Sequence, residues 1–95
     1  MIDFFITFCN KINNGLCLQF FKPFNQNINL NTTYKSSYTF PISFNSYPEI
    51  ILGFQGWLDD HARIYTRHTT DAVFEVRGGY NDPHNVTLYA LAIGY

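Results

Sequence analysis

Val86-Thr87-Leu88-Tyr89-Ala90-Leu91-Ala92-Ile93-Gly94-Tyr95 is the stretch whose reading decides the fold. In an extended chain Val86, Leu88, Ala90 and Ala92 fall on one side and Thr87, Tyr89, Leu91, Ile93 and Tyr95 on the other, so the strand is largely apolar on both faces. Such a strand needs cover twice. One face can fill the core of a sandwich, and a neighbouring subunit is the simplest cover for the other.

Working outward, the cleanest alternation is Tyr38, Phe40, Ile42 and Phe44 against Thr39, Pro41, Ser43 and Asn45. That is the period of a half-buried strand, and Pro41, which cannot donate to a ladder, predicts an edge position or a bulge. Gly15 to Phe21 reads as a strand entered through the turn Asn13-Asn14-Gly15, and residues 22–35, with Asn25, Asn27, Asn29 and Asn31, as a polar connection. After Ser46-Tyr47-Pro48, the run Ile50 to Phe54 is apolar on both faces and suits a central strand. Ala62 and Ile64 alternate with Arg63, Tyr65 and Arg67, and Thr69-Thr70-Asp71 turns the chain into a strand with Phe74 and Val76 inward, a hairpin. In residues 2–12, Ile2, Phe5, Ile6, Cys9 and Ile12 share a helical stripe, though the segment suits an extended chain equally. The expected fold is therefore all-β, a small antiparallel β-sandwich of about six strands.

Composition narrows the function. A chain of 95 residues buries one modest core. Charged residues make up 14 % and aromatic residues 19 %, against about 25 % charged in ordinary soluble domains, which argues for self-association. The net charge of −1 and six Lys and Arg without a run exclude the electrostatic footprint of a nucleic-acid binder. No apolar run approaches the roughly 20 residues of a membrane-spanning helix, and the first nine residues lack the basic start of a signal peptide. Cys9 and Cys17 have neither Cys-x-x-Cys spacing nor a ligand cluster, so neither zinc nor a redox centre is expected. No cofactor is indicated. Asp59, Asp60 and His61 lack EF-hand spacing and a second histidine at a ligand-like separation, so no metal site is expected there. There is no Gly-x-Ser-x-Gly elbow or phosphate-cradling loop, and the adjacent carboxylates of Asp59 and Asp60 diverge on a strand; binding is expected, not catalysis.

Three segments carry a resemblance. Asn14-Gly15-Leu16-Cys17-Leu18-Gln19-Phe20, Tyr38-Thr39-Phe40-Pro41-Ile42-Ser43-Phe44 and the closing Leu91-Ala92-Ile93-Gly94-Tyr95 resemble the C-terminal tip domain of bacteriophage and prophage tail fibres. Gly56-Trp57-Leu58-Asp59, Ala62-Arg63-Ile64 and Val73-Phe74-Glu75-Val76 are also similar to H-type lectins, small trimeric sandwiches that bind sugars. The sequence departs from both: Phe20-Phe21 stands where a Trp-Gly pair follows the Gln, and Tyr89-Ala90-Leu91 where a Trp is usual. The resemblance implies a tip domain over residues 15–95 after an N-terminal extension or shaft remnant over residues 1–14. It also implies a homotrimer on a virion tail fibre that binds host-surface glycans. A structural trimerisation cap and a free-standing lectin are the alternatives.

A sugar site pairs an aromatic platform with carboxylates and amides that take hydroxyl hydrogen bonds. Two strand-connecting segments hold that mix: Trp57-Leu58-Asp59-Asp60-His61 and Tyr80-Asn81-Asp82-Pro83-His84. The expected ligand-binding residues are Trp57, Asp59, Asp60, His61, Tyr80, Asn81, Asp82 and His84, with Arg63. Arg63, Tyr65, Arg67, Glu75 and Arg77 should share the outer face of the hairpin, where they would grip an acidic sugar or tie subunits together through Arg–Glu pairs.

Overall fold

The computed structural model describes residues 5–9, 15–79 and 83–95. Among them lie seven strands and no helix: β1 (Phe5–Cys9), β2 (Cys17–Ile28), β3 (Thr33–Thr39), β4 (Glu49–Gln55), β5 (His61–Thr66), β6 (Asp71–Arg77) and β7 (His84–Gly94). All pairings are antiparallel, in a four-stranded sheet of order β1-β2-β7-β4 and a three-stranded sheet of order β3-β6-β5. The strand read as apolar on both faces, β7, is central in the larger sheet.

The inner faces of the two sheets pack into two clusters. At one end Ala72, Ala90 and Ala92 leave room for the rings of Phe21, Phe40 and Phe44. Phe21 stacks on Tyr38 with centroids 4.1 Å apart, and Phe40 meets Phe44 edge-on at 5.0 Å. At the other end Phe24, Ile28, Phe74, Val76, Val86 and Leu88 pack together. A bulge keeps β2 in phase with both clusters. Phe21 pairs with Ala90 and Phe24 with Leu88, so Lys22 and Pro23 together oppose Tyr89. The extra residue returns Phe24 to the inner face and leaves Pro23 where no ladder donor is required.

Three sequence expectations need correction. Residues 38–45 are not one strand: β3 ends at Thr39, and although Phe40 and Phe44 reach the core, Ile42 is exposed. Pro41 breaks the ladder, and Phe40 and Phe44 instead donate their N–H groups to Thr70 and Thr69 carbonyls of the β5–β6 turn. Gln19, fully buried, holds this loop to the sheet by donating to the Ile42 carbonyl at 2.6 Å. Residues 22–35 are mostly strand. Phe24 and Ile28 face inward while Asn25 and Asn27 face out, and the connection shrinks to residues 29–32 around Asn31, at φ 53°. Ile50–Phe54 lies at a sheet edge, not its centre, with Ile51 58 % exposed on the outer face. Of the two conformations left open for residues 2–12, the described part takes the extended one, as β1, which joins the sheet through β2.

Cys9 and Cys17, to which the sequence assigned no role, face each other across the β1–β2 ladder and form a disulfide.

Phe21 lies where stacking and core burial coincide. Phe21→Ala should cost about 3–5 kcal/mol in urea unfolding, and a loss below about 1 kcal/mol would place the principal core elsewhere.

Candidate functional site

Strand register puts three of the four crossovers between the sheets at one end of the sandwich. Ile28 pairs with His84 and Gln55 with Thr87, near the start of β7, while Thr33 and His61 both pair with Arg77 at the end of β6. Residues 29–32, 56–60 and 78–79 therefore cluster. Of the two expected sugar-binding segments, residues 57–61 and His84 are brought together; Tyr80, Asn81 and Asp82 lie outside the described residues.

Asp60 is the hub of this end. The turn Trp57-Leu58-Asp59-Asp60 closes through the Asp60 N–H, which donates to the Trp57 carbonyl at 3.0 Å, and the Trp57 N–H returns a bond to Asp60 Oδ2 at 2.8 Å. Gly79 N–H donates to Oδ1 at 3.0 Å, and His84 Nε2 lies 2.6 Å from Oδ2. The carboxylate is wholly buried and His84 nearly so, so Asp60 fastens the turn, β7 and the end of β6 to one another. Burial raises its pKa, the largest single influence, but bonds from His84, Gly79 and Trp57 together outweigh it and hold the carboxyl below its ordinary 3.8.

The consequence is a fixed aromatic surface. The Trp57 ring lies flat on the His84 imidazole, centroids 3.9 Å apart and 2° from parallel, yet Trp57 remains 45 % exposed. Leu58, at the tip of the turn, is fully exposed. Asp59 is half-buried, whereas His61 is exposed at the start of β5, beside Arg77 and on the same outer face as Arg63.

Sequence reading missed Gly78-Gly79. A Cβ on Gly79 would overlap the Asp59 carboxylate, and one on Gly78 the Asn29 carbonyl, so only glycines let the three crossovers close. The Gly-Gly dipeptide was the available signal. On the hairpin face Glu75 takes Arg63 from β5 and, at 3.9 Å, Lys35 from β3, and Arg67 bonds Asp71, all within the chain.

Two solved structures share the architecture. The P. aeruginosa R1 pyocin fibre comprising C-terminal residues 323–701 matches all of this chain with a TM-score of 0.71 at 19 % identity. An N-truncated R1-type pyocin tail fibre matches 87 % of it with a TM-score of 0.69 at 21 % identity. The chain shares its fold with part of these pyocin tail fibres. It spans 28 % of the first pyocin fibre structure and 74 % of the second. No family model matches the sequence, and no curated protein is significantly similar to it.

Because the Asp60 carboxyl titrates lower folded than in the unfolded chain, its stabilisation is complete above about pH 4 and is lost as pH falls through the folded value. Asp71 and Glu75, lowered by Arg67 and Arg63 respectively, act in the same direction. Asp60→Asn should cost about 1–3 kcal/mol at neutral pH and flatten the fall in stability below about pH 4 in denaturant melts across pH. An unchanged acid profile would remove Asp60 from its role as hub.

Proposed function

We propose that this chain is the receptor-binding tip of a phage-type tail fibre, outside the particle, and that it attaches to glycans of a host surface as a homotrimer. The observation that carries the reading is the Trp57 ring, exposed at one end of the sandwich and held rigid by His84 and Asp60. An apolar ring presented on a locked turn suits the apolar face of a sugar, because little side-chain freedom is lost on binding. A purely structural cap has no use for such a residue in solvent. The fold shared with the R1 pyocin fibres supports the setting, and a disulfide fits an oxidising, extracellular one.

The role is binding, not catalysis. The Asp60–His84 pair is the carboxylate–histidine contact that would invite an acid–base reading, but its carboxylate is buried and already accepts bonds from Trp57, Gly79 and His84. Asp59, His61 and the segment Tyr80-Asn81-Asp82 complete the proposed wall.

The outer face of the larger sheet supports self-association. Cross-strand register sets Phe8, Leu18 and Ile93 in one row and Phe20, Leu91 and Ile51 in the next. Phe8 is 61 % exposed. Toward the crossovers the same face turns polar, with Asn25, Asn27, Asn85 and Thr87. Sister chains would cover the apolar half and leave the Trp57 end free. One small wet site reaches about millimolar affinity, roughly 4 kcal/mol, so attachment relies on several identical sites engaging one surface.

Trp57→Ala should reduce attachment of the labelled protein to its target cells by at least about ten-fold, the effect of losing one stacking contact at each linked site, with the melting transition shifted little. Attachment equal to the parent's would place the platform elsewhere.

A further inference from the structure

The chain's three arginines all lie on or beside the β5–β6 hairpin, but their partners differ. Arg63 is bonded to Glu75, directly opposite it, and Arg67 to Asp71. Arg77 meets no carboxylate among the described residues. Its Nη1 donates to Thr33 Oγ1 at 2.9 Å and its Nη2 to Asn31 Oδ1 at 3.2 Å, both neutral acceptors. Those bonds fix the guanidinium without cancelling its charge and leave further N–H donors of an exposed side chain for a ligand.

Arg77 also stands in a groove. Thr33, His61, Ala62, Arg63, Glu75 and Arg77 line a space of about 310 Å³, at the small end of the range of ligand pockets, about 300–1,000 Å³. His61 pairs directly with Arg77 across the ladder, and Arg63 lies on the next outward-facing row. The groove adjoins the Trp57 turn: His61 follows Asp60 in the chain, and Arg77 precedes the glycine pair whose Gly79 N–H bonds Asp60. The opposite, apolar sheet face is the one that assembly would cover, so this groove stays open.

We infer that the groove is a subsite for the anionic group, carboxylate or phosphate, of an acidic sugar, with Arg77 as its principal ligand and His61 and Arg63 as flanking donors. The inference rests on the receptor-binding reading and names its ligand class. A planar guanidinium held by neutral acceptors offers paired N–H donors to an oxyanion at little further ordering cost.

Titration of the isotope-labelled full chain by NMR tests it, with glucuronate, glucose 6-phosphate and glucose as probes. The acidic probes should perturb Arg77 and His61 at millimolar concentration and bind at least about ten-fold tighter than glucose, an advantage that falls as salt is raised. The tighter of the two acids identifies the favoured anion. Arg77→Gln should remove the advantage, and His61→Ala should reduce it should Arg77→Gln prove poorly folded. Equal binding of glucose and both acids, or an unchanged advantage in well-folded Arg77→Gln, would overturn the subsite. The two readings fail separately. Loss of cell attachment in Trp57→Ala with no acid preference discards the subsite alone, and acid preference at Arg77 with full attachment in Trp57→Ala discards the aromatic platform alone.

Discussion

The structure depends on one strand that is apolar on both faces and must lie in the middle of a sheet. β7 pairs with β2 along one edge and β4 along the other, so its backbone groups are satisfied on both sides. Its inner residues Val86, Leu88, Ala90 and Ala92 feed both core clusters. The small residues among them set where the phenylalanines sit: Ala90 and Ala92 admit Phe21, Phe40 and Phe44, and the bulge at Lys22 and Pro23 returns Phe24 to face Leu88. Its outer residues Leu91 and Ile93 join Leu18, Phe20, Phe8 and Ile51 in a continuous apolar surface. Burying a single large apolar side chain is worth about 1.5–3 kcal/mol, so a face of six such residues has a strong drive toward cover.

The same register decides where binding chemistry can collect. Because β2, β4 and β6 all end at one end of the sandwich, three of the four crossovers start there, and a single carboxylate can tie two of them to the start of β7. Gly78-Gly79 is the steric condition: backbone carbonyls and the Asp59 carboxylate occupy the space side chains would need. Asn31 reinforces the junction by donating its N–H to the carbonyls of Gly78 and Gly79, at 3.1 and 2.9 Å, and its side chain steadies Arg77. A rigid floor made from loops is what a weak, repeated binding site needs, since each residue ordered on contact subtracts from a small gain.

Much of this was legible in the sequence, for physical reasons that differ between residues. The strands β5, β6 and β7 were readable because their alternation is set by burial on one side, and the turn at Thr69-Thr70-Asp71 by composition. Residues 38–45 misled because Phe40 and Phe44 are spaced to reach the core from a loop as well as from a strand; the difference lies in backbone bonds to Thr69 and Thr70, which no pattern encodes. The Asn-rich stretch misled because polar residues on one face of a strand look like a loop when the inward Phe24 and Ile28 are four apart. Trp57, Asp60 and His84 were picked out by residue type, but His84 meets the other two from 24 or more positions away in the chain, which follows only from the three-dimensional register. The distinction between Arg63, Arg67 and Arg77 depends on which carboxylate stands opposite each, and this too is a matter of register.

The proposed function divides the surface between two tasks: the apolar outer face of the β1-β2-β7-β4 sheet would serve assembly, while the crossover end and the β3-β6-β5 face would meet the ligand. Hydroxyl-radical footprinting of the assembled protein, read residue by residue by mass spectrometry, measures that division directly. Phe8, Phe20, Ile51 and Leu91 should be protected well beyond their exposure in a single chain, while Trp57, Leu58 and Tyr65 label freely. Free labelling of Phe8 and Ile51 together with protection of Trp57 and Leu58 would contradict the account, since the crossover end would then be the interface and the apolar sheet face the open one.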